Sequence, residues 1–378
     1  MGMYGTCSAA PCSCSPKASK RQGNCKRNDN EMRKEVSPIT NQHQSLSGEQ
    51  AKTPLLVLVG PTAVGKTALS IELAKRYHAE IISGDSMQVY RGMDIGTAKI
   101  KEEEREGIVH HLIDICDPEE AFSAADFQAR AKALIEDIHS RGKLPFVVGG
   151  TGLYIESLCY QYQFVEQGSD EVFRREMEQF AEQHGNEALH AKLAAIDPQA
   201  AMRLHANDVR RVIRALEVFH VTGQTFSEHQ QGQERKQEKQ SPYNLIILGL
   251  TRDRAKLYER IEQRIDQMLE EGLVEEVKAL LARDLPMHAV PRQALGYKEM
   301  IAYLQGEYSY ERAVELLKRD TRRFAKRQLS WFRHMQNLHW IDMDENFEEI
   351  LHSIHAIIAG KFQGHLEYST NQSLSRRG

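Results

Sequence analysis

The chain has 378 residues, of which 41% are hydrophobic, and a formal net charge of −4. That length can hold one large or two ordinary domains around a real core, and no apolar run approaches the roughly 18 residues of a membrane-crossing helix. A chain that is acidic overall is not a basic nucleic-acid coat, so any polyanion partner must be held by local patches.

Residues 1–52 read as a disordered N-terminal extension. They are rich in Ser, Asn, Gln, Lys and Arg, and eight Lys/Arg against four Asp/Glu leave +4; such composition rarely folds by itself. Four of the six cysteines fall here, Cys7, Cys12, Cys14 and Cys25, at spacings that suit zinc poorly. Cys116 and Cys159 alone lie in the body. No disulfide framework is expected, which suits a reducing, cytoplasmic protein. No apolar signal-peptide core is present. Gly2 with Thr6 formally fits a loose myristoylation pattern, and Met32 is a second candidate start.

The first predicted strand, Leu55–Val59, runs into Gly60-Pro61-Thr62-Ala63-Val64-Gly65-Lys66-Thr67 and then a helical stretch, Ala68–Tyr77. Strand, glycine loop and helix in that order are the context a phosphate-binding loop requires. Its glycines let backbone N–H groups turn toward phosphate oxygens, and the helix N-terminus adds partial positive charge. Lys66 can reach a terminal phosphate, and the Thr67 hydroxyl can hold Mg²⁺. The loop type is the nucleotide-binding one, and the motif itself does not say that the polyphosphate is ATP.

A second strand, Glu80–Ser83, leads to Asp85, on the rim of the sheet that carries the phosphate loop. A carboxylate there can coordinate Mg²⁺, take a proton or cap the next turn. His110, His111 and Asp114 follow a short apolar run. The histidines lack metal-ligand spacing and read as structural; Asp114 could hold Mg²⁺ or cap a turn. Helix Ala124–Ser140 precedes a third strand, Pro145–Val148, which ends in Gly149-Gly150-Thr151 on the same rim. Between Gln161 and Ser241 strand signals stop and amphipathic helices take over, as in Asp170–His184 and Asp208–Val221, followed by the polar stretch Gln230–Gln240. This reads as a helical insertion, a lid or second substrate wall. Arg210, Arg211 and Arg214 form a basic cluster in it.

Strand Asn244–Leu250 resumes the core, with a weak fifth strand at Leu338–Ile341 and paired helices between Arg254 and Ala282. The alternation predicts a P-loop NTPase-like, doubly wound parallel sheet with a helical insertion domain and C-terminal helices. The expected divisions are 53–160 for the first part of the core, 161–241 for the insertion, 242–345 for the second part, and 346–378 for a terminal helix and tail. Arg264 lies seven residues after Leu257, about 20° from its azimuth on an apolar stripe. A guanidinium there needs an anion, either a structural carboxylate or a substrate phosphate. The last long helix carries Lys318, Arg319, Arg322, Arg323, Lys326, Arg327 and Arg333 against one acid, Asp320, with Phe324, Trp331 and Phe332 interleaved. A charge run is usually a solvated face, but this density in a net-acidic chain favours a polyanion.

These pieces resemble the tRNA dimethylallyltransferases, also called tRNA isopentenyltransferases. The resemblance rests on Gly60–Thr67, on the block Asp85-Ser86-Met87-Gln88-Val89-Tyr90-Arg91-Gly92-Met93-Asp94-Ile95-Gly96-Thr97-Ala98-Lys99, and on His111-Leu112-Ile113-Asp114. It continues through Val148–Tyr154, Asn207–Glu217, Gly296-Tyr297-Lys298-Glu299 and Lys326–Phe332. It spans about residues 54 to 342, and the eukaryotic C-terminal zinc finger is absent, so the bacterial type fits.

The resemblance implies that the loop holds the diphosphate of dimethylallyl diphosphate. The prenyl group would pass to N6 of the adenine 3′ of the anticodon. It further implies Asp85 as general base, with Thr62, Lys66, Thr67 and Arg264 around the leaving diphosphate and Mg²⁺ as cofactor. The tRNA contacts it implies are Asp85, Ser86, Met87, Gln88, Thr151, Arg174, Arg210, Arg211, Arg214, Arg292, Gly296, Tyr297, Lys326, Arg327, Gln328, Trp331 and Arg333. The expected partners are a tRNA anticodon stem–loop and the prenyl donor, with no membrane, acting as a monomer. A transferase acting on free adenylate, a P-loop small-molecule kinase and a non-catalytic RNA-binding protein are the competing classes.

Overall fold

Six strands form one parallel sheet in the order β3-β2-β4-β1-β5-β6. The strands are β1 (Pro54–Val59), β2 (Ala79–Gly84), β3 (His110–His111), β4 (Leu144–Gly149), β5 (Asn244–Thr251) and β6 (Leu338–Asp342). The computed structural model describes residues 52–164, 170–229, 240–283, 285–286 and 289–362. Expectations for residues 1–51, most of the polar stretch 230–240 and the tail beyond 362 lie outside these.

Strand β1 is buried on both faces, which is why it reads as an unbroken apolar run. Leu56 and Leu58 face one core with α1 (Lys66–Tyr77). Leu55, Val57 and Val59 face the other with α2 (Ala124–Ser140) and α3 (Gly152–Cys159). The chain moves from β1 to β2 and β3, returns to β4 beside β1, and leaves on the far side through β5 and β6. The direction switches at β1, where ligands of open α/β sheets bind, outside the strands' carboxyl ends. The expected five strands are all present. The sixth, β3, is the two-residue His110–His111 segment; His111 bonds to buried Glu80 at 2.8 Å, so the histidine pair is structural as expected.

The insertion is helical: α4 (Glu171–His184), α5 (Asn186–Ile196), α6 (Pro198–Arg203) and α7 (Val209–Thr222). It has its own apolar core around Leu189, Leu193, Val212 and Leu216. Beyond β5 come α8 (Arg254–Glu270), α9 (Leu273–Leu281), α10 (Tyr297–Leu304), α11 (Tyr310–Phe332) and, after β6, α12 (Phe347–Lys361). Among the described residues no helix is long and apolar enough to cross a membrane.

Candidate active site

The loops after β1, β2 and β4, three neighbouring strands, open onto one cavity of about 740 Å³. Helices α8 and α11 complete its wall with Arg260, Arg264, Phe324, Arg327 and Gln328.

Gly65 caps α1 at φ 116°, and Ala63 holds a left-handed φ of 62°. The first conformation favours glycine and the second strains alanine, and together they curl the loop back on itself. The Lys66 ammonium donates to the loop carbonyls of Gly60 at 2.9 Å and Pro61 at 2.8 Å. Burial, reinforced by the nearby Arg264 charge and opposed by Asp85, lowers its pKa to about 7. The Thr67 side chain is exposed at the cavity wall.

Arg264 is half-buried, and its acceptors are neutral and long: Thr62 Oγ1 at 3.5 Å and Ala98 O at 3.4 Å. No ion pair to it exists among the described residues. Of the two partners open to it from sequence, the structural carboxylate is therefore absent. Burial pulls its pKa below the ordinary value, with Asp85 opposing. Its neighbour Arg260, one turn earlier, donates to Ala63 O at 3.0 Å.

Asp85 Oδ1 accepts the Met87 amide at 2.8 Å and the Gln88 amide at 3.4 Å. The capping role is thus real, and it orients the carboxylate while leaving Oδ2 without a partner among the described residues. Thr151 Oγ1 accepts the Ser86 amide at 3.1 Å, tying the β4 turn to this loop. The approach is so close that a Cβ on Gly149 would sit 2.3 Å from the Gly84 oxygen.

Several expectations need correction. Gln328 is buried; its Oε1 accepts the Thr62 amide and its Nε2 donates to Gly150 O, both at 2.9 Å. It is a brace between two site loops, with one N–H and one carbonyl lone pair of its amide already committed to the protein. Tyr297 is fully buried with its ring on Gly96, and Gly296 is buried beside it. A direct RNA contact by the Tyr297 side chain does not fit.

Arg174 and Arg214 both pair with fully buried Glu217, at 2.8 and 2.6 Å. Removing either would leave the buried Glu217 carboxylate with one cation in place of two, so both are tied to the fold. Arg210 and Arg211 remain exposed. Arg292 donates to Leu285 O at 3.2 Å.

The basic run of α11 also meets more acids than its own helix suggests. Lys318 pairs with Asp266 and Arg322 with Glu262, each at 2.6 Å, both from α8. Arg319 and Arg323 share Asp320. Lys326, Arg327 and Arg333 are exposed and form no ion pair among the described residues, and Trp331 is 39% exposed with its ring against Gly152.

Asp114 binds buried Lys99 at 2.5 Å, an ion pair that neither of its sequence readings anticipated. No group of three or more His, Cys, Asp or Glu suited to a metal occurs among the described residues.

Sequence reasoning missed Arg260, the bracing role of Gln328, and Glu276 on α9, which accepts the amides of Asp94, Ile95 and Gly96. Gln328 had a usable signal. It shares the buried stripe Thr321, Ala325, Gln328, Phe332, a polar side chain on an apolar face like Arg264. Glu276 had none, because three of its partners are backbone amides some 180 residues earlier in the chain.

A phosphate loop, two cations without acid partners on its far side and a carboxylate on the shared rim define a P-loop α/β protein built to hold a polyphosphate beside a base. Comparison with known proteins makes this specific. The model of the IPP transferase family matches residues 88–335. The tRNA dimethylallyltransferases of Halalkalibacterium halodurans and Bacillus subtilis are 53% and 52% identical, each over 82% of this chain and 98% of its own length. The solved tRNA isopentenylpyrophosphate transferase of Bacillus halodurans aligns with a TM-score of 0.63 at 51% identity, over 84% of this chain and all of that one. A eukaryotic dimethylallyltransferase solved acting on tRNA aligns with a TM-score of 0.65 at 32% identity, over 77% of this chain and 74% of that one. The chain belongs to the IPP transferase family, that of the tRNA dimethylallyltransferases.

Proposed function

We propose that this protein transfers a dimethylallyl group from dimethylallyl diphosphate to N6 of the adenine 3′ of the anticodon in tRNA. The observation that carries the reading is the pairing of Asp85, with one free carboxylate oxygen, with Lys66 and Arg264 in one cavity. The exocyclic amine of adenine is a poor nucleophile because its lone pair is delocalised into the ring. In the reaction the N6–C1 bond forms as the C1–O bond to diphosphate breaks. Asp85 takes the N6 proton, and the electron pair leaves with the diphosphate. Lys66, Arg264 and the amides of the phosphate loop meet the charge that develops there.

Mg²⁺ suits this site as a substrate-borne ion. It needs one or two protein oxygens plus phosphates, and the Thr67 hydroxyl supplies one, leaving the free Asp85 oxygen to act as the base. When bound it neutralises diphosphate charge. The target base must leave its stack to enter a site at the strand ends. Arg210, Arg211, Lys326, Arg327 and Arg333 would hold the stem–loop through its phosphates, with Trp331 at the mouth for stacking. The protein would act as a cytoplasmic monomer.

The test is incubation with labelled dimethylallyl diphosphate and unmodified tRNA, AMP or no acceptor. Label is expected in tRNA alone. Label in AMP would mean a free-nucleotide enzyme, and label in neither would reject the transfer.

A further inference from the structure

Glu276 lies on α9 and lines no part of the cavity, yet its carboxylate is fully engaged by the family-specific loop. Oε2 accepts the amides of Asp94 and Ile95, each at 2.8 Å. Oε1 accepts the Gly96 amide at 3.0 Å and the phenol of buried Tyr297. Three consecutive amides aimed at one anion form a preorganised anion cradle, and here the anion is supplied by the protein itself. The Tyr297 ring closes the cradle, since a Cβ on Gly96 would lie 2.5 Å from it.

What this cradle fixes is the next turn of the loop. Ala98 N donates to Ile95 O and Lys99 N to Asp94 O, both at 2.9 Å. That aims the Ala98 carbonyl at Arg264 Nη2, 3.4 Å away, and the Thr97 carbonyl at Gln88 Nε2, 3.3 Å away. Among the described residues Arg264 has one other acceptor, Thr62. A guanidinium held by two long bonds to neutral oxygens is aimed by whatever aims those oxygens.

We propose that Glu276 is a positioning residue for the diphosphate site, holding loop 94–98 so that Ala98 O aims Arg264 at the leaving group. The inference rests on the proposed function. A carboxylate is required chemically. An amide at position 276 would set its own N–H groups against one or two of the four donors and leave those unpaired at a partly buried site.

The test uses the full chain and inorganic diphosphate as probe, read by calorimetry. Glu276→Gln is expected to weaken diphosphate binding about 10-fold, in line with losing one to two kcal/mol of aim and hydrogen bonding. The Michaelis constant for dimethylallyl diphosphate should rise in step while that for tRNA stays put. Because Glu276 acts through Arg264, the double variant Glu276→Gln/Arg264→Leu should bind diphosphate no worse than Arg264→Leu alone. Additive losses, or unchanged diphosphate affinity in Glu276→Gln with only the melting temperature lowered, would overturn the proposal. If Glu276→Gln does not fold, Tyr297→Phe, which removes one of the four donors, should still weaken diphosphate binding roughly 2- to 5-fold; wild-type affinity in that variant overturns it equally. A wild-type protein that ignores diphosphate would instead defeat the functional reading, and the clamp with it.

Discussion

Donor binding should take up a proton at alkaline pH, and Lys66 should be the group that takes it. In the ligand-free loop burial holds the Lys66 pKa at about 7. A neutral amine has two N–H groups, enough for the two carbonyls it meets, Gly60 O and Pro61 O. A bound diphosphate places anionic oxygens there and favours the ammonium, returning its pKa toward the ordinary ~10.4. The sign follows from linkage. The bound state holds the proton more tightly, so affinity is greatest below pH 7 and falls as pH rises through it. At pH 7 half the free protein carries the charge and at pH 8.5 about 3%, so affinity should drop roughly 15-fold, or about 1.6 kcal/mol. Calorimetry at pH 8.5 in two buffers of different ionisation heat, with dimethylallyl diphosphate and no tRNA, should report uptake of about one proton. The donor's own second ionisation, near pH 6, is complete by then. Lys66→Met should abolish the uptake. No uptake in the wild type, or uptake that persists in Lys66→Met, would refute the assignment. The same depressed pKa means that the unfolded chain binds more protons between pH 7 and about 10.5. Over that window the Lys66 contribution to stability rises with pH.

Asp85→Asn keeps an oxygen for the Met87 amide, so melting temperature and tRNA affinity should hold while turnover falls about 10²–10⁴-fold; near-normal single-turnover rates would leave Asp85 as a cap only. Arg264→Leu removes a half-buried cation that has no acid partner among the described residues, so melting temperature should stay or rise while donor affinity falls roughly 10- to 100-fold; calorimetry and thermal melts on one sample separate this from a structural loss. Neutralising Lys326 and Arg327 together should cut the log–log salt slope of tRNA binding by about one to two and leave donor binding alone. An unchanged slope would put the RNA elsewhere. Removing residues 1–50 should leave activity and melting temperature nearly unchanged, and a marked loss of either would give that segment a role.

The parallel sheet was legible because its buried strands are unbroken apolar runs, and the phosphate loop because its flanks supply the required strand and helix. Strand β3 was not, since two residues cannot show a period. What the sequence hid most was charge pairing between distant segments. The acids that neutralise Lys318 and Arg322 lie on α8, and Glu217 converts two of the insertion's arginines into structural partners. A cluster of cations read along one helix overstates the free positive charge wherever another helix supplies the anions. The polar residues on apolar stripes were the better guide. Arg264 and Gln328 both stand out by azimuth, and both reach the phosphate loop.

Gln328 also bears on how the molecule is made. Its single side chain satisfies the Thr62 amide from a position 266 residues later. The loop of residues 60–67 therefore emerges from a ribosome long before the group that braces it exists. Until α11 docks, that amide lacks the partner it has in the folded site. Donor binding should switch on late in synthesis, as one of the last steps of folding. A chain cut short before residue 328 would carry an intact phosphate-loop sequence and still lack the cross-brace of its site.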